Sequence, residues 1–83
     1  MGVKIHFHAK ERMEERGATE KEVMKTVKEG EQFPVKFGRV GYRYNFKFDA
    51  IWKNKKYNTK QIEAYTVKEN SDIIVITVLV KYF

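Results

Sequence analysis

The chain of 83 residues has no cysteine and only two histidines, His6 and His8. Disulfides, thiolate metal sites and cysteine nucleophiles are excluded, and two imidazoles are too few for a structural zinc site. Neither a metal nor a cofactor is expected. The one serine, Ser71, lies in a polar stretch far from either histidine, so a serine hydrolase is not supported. None of the five glycines falls into phosphate-cradling or dinucleotide-binding spacing. Acidic residues are scattered over helix surfaces, which argues against a glycosidase carboxylate pair. The longest apolar run, Ile73 to Val80 broken by Thr77, is too short to span a bilayer, and no apolar signal region opens the chain. The expectation is a soluble, cytoplasmic protein with no membrane partner. At this length it forms one domain, residues 1–83, with a modest core.

What the chain does have is an uneven charge of +6. Residues 1–32 balance their bases and acids. In residues 33–60 stand Lys36, Arg39, Arg43, Lys47, Lys53, Lys55, Lys56 and Lys60 against Asp49 alone. The excess therefore lies in the middle third. Such a region attracts RNA, DNA or an acidic protein. Lysine-rich turns that serve solubility would look the same, and richness in Lys, Glu and Ile also accompanies heat-stable proteins.

Periodicity sets out an α+β order. Val3 to Phe7 reads as a short strand or lead-in. A first helix spans about His8 to Arg16, with Gly17 at its left-handed end. Thr19 and Glu22 form a capping box for a second helix that Gly30 ends. From Phe33 the apolar period becomes two. Phe33 to Lys36 reads as another strand, which Pro34, with no N–H to donate, demotes to an edge or a lead-in, and residues 37–41 form a turn. Tyr42, Tyr44, Phe46 and Phe48 alternate with Arg43, Asn45 and Lys47 in a strand that continues through Ala50 to Trp52 past a bend. Lys53 to Lys60 reads as a polar loop, Gln61 to Val67 as a strand and residues 68–72 as a turn. Ile73 to Lys81, rich in β-branched residues, reads as a central strand covered on both faces. The architecture expected is a short N-terminal strand and a two-helix hairpin packed on one face of a twisted antiparallel sheet of three to four strands.

Two groups of residues carry candidate chemistry. His8, Arg12 and Arg16 recur at one-turn intervals on or beside the apolar side of the first helix. An imidazole can move a proton near neutral pH, and guanidinium groups can clamp a phosphate. The structural alternative is that His8 caps the helix while the arginines lie over apolar surface and pair with Glu20, Glu22 or a helix-end carbonyl. The second group is the row Arg43 and Lys47, with Lys36 and Arg39 upstream. This row lies opposite the four aromatic residues, which are expected to face the helices. The loop Lys53-Asn54-Lys55-Lys56 is flanked by Trp52 and Tyr57. It pairs rings for base stacking with cations for phosphates, or else is a solvated turn with Trp52 tucked into the sheet. Lys81 and Tyr82 place a cation and a phenol at the rim of the same sheet face.

The segments His8-x-x-x-Arg12-Met13-x-x-Arg16-Gly17, Thr19-x-x-Glu22-Val23 and Glu29-Gly30-Glu31, with the closing strand Ile74 to Val78, resemble a small bacterial and phage-associated family of unknown function related to the RelE/BrnT-like toxin superfamily. The resemblance implies a RelE-like fold whose basic sheet face acts on messenger RNA and is masked by an antitoxin; the partners expected here are RNA, ribosome-associated or free, and an acidic antitoxin-like protein. Arg43, Lys47, Lys81 and Tyr82 are the positional candidates. The ending Leu79-Val80-Lys81-Tyr82-Phe83 departs from the tyrosine-first ending of relatives. The expectation is a toxin-like, RNA-directed domain acting as a metal-independent endoribonuclease. His8 would transfer the proton of the attacking 2′-hydroxyl, and Arg12, Arg16 and Arg43 would stabilise the phosphorane oxygens. Arg39, Lys47, Lys53, Lys55, Lys56, Lys81 and Tyr82 would hold the strand. Two alternatives are a non-catalytic module binding nucleic acid or protein through its basic sheet face, and a degenerate toxin fold whose free sheet edge recruits a partner strand.

Overall fold

A computed structural model describes residues 2–83. The elements run β1 (Val3–Ile5), α1 (Phe7–Arg16), α2 (Glu20–Glu29), β2 (Glu31–Val35), β3 (Arg39–Trp52), β4 (Lys55–Glu69) and β5 (Asp72–Tyr82). Both helices are bounded by local chemistry. At the start of α1, His6 stays extended and its Nδ1 accepts the His8 N–H at 3.2 Å. At its end Gly17 takes φ +80°, which L-residues resist, and a Cβ there would also strike the Trp52 ring. The Thr19–Glu22 capping box is closed in both directions.

The sheet order is β1-β5-β4-β3-β2. The β2–β3, β3–β4 and β4–β5 pairs are antiparallel, whereas β1 runs parallel to β5, with Val3 opposite Ile73 and Ile5 opposite Val75. The expected sheet of three to four antiparallel strands is thus corrected to five strands in a mixed sheet. The lead-in is a true strand because an apolar β5 with a bare edge would leave its N–H and C=O groups unpaired. Val3 and Ile5 also gain burial against the core.

Strand lengths differ from expectation as well. Only Lys53 and Asn54, both at positive φ, make the β3–β4 turn, and the rest of the expected polar loop belongs to β4. Such a two-residue turn matches the twist of a ribbon. A register shift between Lys47 and Ala50 supplies the bend. β5 is interior, between β1 and β4, but helices cover only one of its faces.

That covered face holds the core. Ala9, Met13, Ala18, Val23 and Val27 from the helical segment pack on Ile62, Ala64, Val75 and Val78, with Tyr42 and Phe46 at the margin. Side chains alternate along a strand, so Arg43, Glu63 and Leu79, mutually paired in register through β4, lie on the opposite, helix-free face.

Candidate nucleic-acid interface

The histidine–arginine set of α1 does not form a common anion site with the sheet. His8 is largely exposed, with Nδ1 3.7 Å from Glu11. Arg12 is also exposed and donates to Glu15 at 3.2 Å. Arg16 turns inward and donates from Nη1 to the Val78 carbonyl at 2.6 Å. Arg43 lies across the sheet from all three, because its neighbour Tyr42 faces the helices. The parity of β3 separates them. Moving Arg43 to the helix side would carry Tyr42 and Phe46 away from the core.

The helix-free face centres on a carboxylate. Glu63 is 7% exposed although no helix covers it. Its Oε2 accepts from Arg43 Nε at 3.1 Å and its Oε1 from the Tyr65 hydroxyl at 2.9 Å. Lys81 Nζ stands 3.8 Å from Oε2. Burial opposes ionisation of Glu63, but the Tyr65 and Arg43 hydrogen bonds and the Lys81 charge outweigh it, holding the carboxyl below its ordinary range. The Tyr65 phenol is pushed up by burial and by its bond to Glu63. Arg43 also donates to Glu31 at 3.1 Å and lies over the Phe33 ring at 4.5 Å. Phe33 fits because Gly41 beneath it has no Cβ to collide with the ring. Arg43 and Lys81, expected to hold RNA, thus face Glu31 and Glu63. The centre of the helix-free face is charge-balanced rather than a continuous cationic track.

Lys81 and Tyr82 do not share a face. Tyr82 points to the helix side, where its hydroxyl donates to the Arg16 carbonyl at 2.7 Å and its ring stacks on Trp52 at 4.9 Å. Burial and the nearby Glu22 charge push its phenol up. Lys60, counted among the middle-third cations, is 6% exposed and bonds the Gly17 carbonyl and Glu22, the latter at 2.7 Å. These groups close the joint between α1, α2 and the ribbon.

Of the cations in residues 33–60, the five without an acidic partner among the described residues, Lys36, Arg39, Lys53, Lys55 and Lys56, stand at the two ends of β3. At the β3–β4 tip are the exposed Lys53, Lys55 and Lys56. Lys53 Nζ lies 5.6 Å over Trp52, and Lys55 Nζ lies 5.6 Å over Tyr57. Lys47, on the same ribbon, is 88% exposed and 3.7 Å from Asp49. At the β2–β3 turn are Lys36 and Arg39, which flank Phe37 and Gly38. Sequence reasoning did not single out Glu63, Lys60 or Phe37. Lys60 shares parity with Ile62 and Ala64, which flags an inward lysine. Glu63 stands on the opposite parity and pairs with Arg43 only through register.

The fold and its charge arrangement define a small α+β domain with one helix-covered and one helix-free sheet face. Residues 5–80 match the family described as a domain of unknown function, DUF4258, and the chain belongs to that family. Comparison with curated proteins gives no match, nor does comparison with solved structures. Among the described residues no helix is long and apolar enough to cross a membrane.

Proposed function

We propose that this chain is a toxin-like, RNA-directed domain that binds its RNA rather than cleaving it. The carrying observation is the β3–β4 tip, where Lys53, Lys55 and Lys56 are exposed, face no carboxylate and adjoin Trp52 and Tyr57. Cations of this kind release counterions from a phosphate backbone, and Trp52, stacked on Tyr82, anchors the tip that carries them. Cleavage by His8, Arg12, Arg16 and Arg43 finds no support in a geometry that sets Arg43 across the sheet from the other three.

The test is fluorescence anisotropy with a labelled single-stranded RNA, beside a gel assay of unlabelled RNA in EDTA. Binding is expected to drop by more than 10-fold in Lys53→Ala/Lys55→Ala/Lys56→Ala and to be unchanged in His8→Ala, with RNA intact throughout. RNA cut in EDTA by the wild type and spared by His8→Ala would restore the nuclease reading. No binding at low salt would remove the RNA reading altogether.

A further inference from the structure

The β2–β3 turn holds an aromatic side chain that the fold does not use. Phe37 is 88% exposed, the most exposed of the large hydrophobic residues. Its backbone is at φ +65° and is followed by Gly38 at +70°. Glycine or asparagine suits such a position, and a bulky residue there is strained. The ring thus stands in solvent on a backbone that disfavours it, and folding gains nothing from it. Lys36 precedes it, and Arg39, the first residue of β3, follows Gly38; both are exposed. Neither has an acidic partner among the described residues. A ring with open faces between two unneutralised cations matches one ligand chemistry well: a flat, unstacked base with phosphates on either side.

We propose that the Lys36-Phe37-Gly38-Arg39 turn is a stacking finger for an unpaired RNA base, with Lys36 and Arg39 holding the adjoining phosphates. This rests on the RNA-binding reading above and adds to it a second contact at the far end of β3 from the lysine tip. It also names the substrate as single-stranded, since a base inside a duplex has no free face for the ring. An anionic lipid surface is the competing partner, but stable attachment there takes more than one buried side chain of this size beside two cations.

The decisive variant is Phe37→Gly, which removes the ring and relieves the backbone, so its melting temperature should equal or exceed the wild type. Affinity for a 12-nucleotide uridine-rich single strand is expected to fall roughly 10-fold. Affinity for a 12-base-pair RNA duplex should stay within about twofold of the wild type. An unchanged single-strand affinity, with binding still lost in the Lys53/Lys55/Lys56 variant, overturns the finger and leaves the RNA reading standing. Equal loss on single strand and duplex overturns the unpaired-base assignment. Sedimentation with phosphatidylglycerol vesicles that is lost in Phe37→Gly, with RNA affinity unchanged, replaces it by a lipid contact. If the wild type binds no RNA at all, the underlying reading fails and the finger with it.

Discussion

A carboxylate on a sheet face without a helical cover is ordinarily wet. Glu63 is nearly dry because Arg43, Lys81 and Tyr65 close over it. Its folded pKa lies below the unfolded value of 4.5, so the stabilisation is fully present above about pH 4.5 and is lost as pH falls through the lower folded value. Glu63→Gln removes the anion while keeping the shape and leaves Arg43 and Lys81 facing a neutral amide. A loss of about 2 kcal/mol is expected in urea unfolding at pH 7. At pH 3, below the unfolded value, the gap between variant and wild type should be smaller. A gap of the same size at both pH values would show that the carboxylate charge contributes nothing. Lys60 poses the same problem on the opposite face, where the Gly17 carbonyl and Glu22 satisfy it.

Among elements, α2 is the most locally determined. Its capping box satisfies one amide at each end of the motif, and Val23, Thr26 and Val27 form its buried side. Thr26 avoids a stranded hydroxyl by donating to the Glu22 carbonyl at 2.8 Å. Thr19→Ala should cost about 1 kcal/mol, read as a lower melting temperature. No change would mean that the Glu22 side chain and packing suffice. The helices were legible because caps and the 3.6-residue period act within a few residues. β1 was less so: three residues have little pattern, and its partner Ile73 to Val75 lies at the other end of the chain. The long ribbon was also underread. Lysine and asparagine look like loop residues, yet Lys55 to Lys60 extend because β3 supplies a partner for every one of them but Asn58, which stands at the register shift.

At the scale of the molecule, one sheet face holds the helices and the other holds a balanced ion network, while the unpaired cations of residues 33–60 stand at the ends of β3. The longest dimension, 42 Å against 23 and 22 Å, follows from the long β3–β4 ribbon. This separation makes the electrostatics of binding measurable. If Lys53, Lys55 and Lys56 each neutralise a phosphate, the slope of log affinity against log salt should become shallower by about 2 in their triple variant. A slope that does not move would place the phosphate contacts elsewhere on the surface. Arg43→Ala should change the slope little, because that guanidinium already faces Glu31 and Glu63.

Taken by itself, the sequence determined the two helices, Gly17 at the end of α1, the capping box of α2, the aromatic row of β3 facing the helices and the crowding of cations into residues 33–60; the cap that opens α1 is His6 rather than His8. Each of these rests on spacing along the chain, where neighbours at three, four or two residues decide the outcome. Tertiary structure alone decided that the sheet has five strands with a parallel edge, and that Arg16 reaches Val78 while Arg43 is held by Glu63 on the other side. It also decided which lysines are left unneutralised. Those outcomes depend on register between distant segments, and a one-residue change of parity would exchange one face for the other.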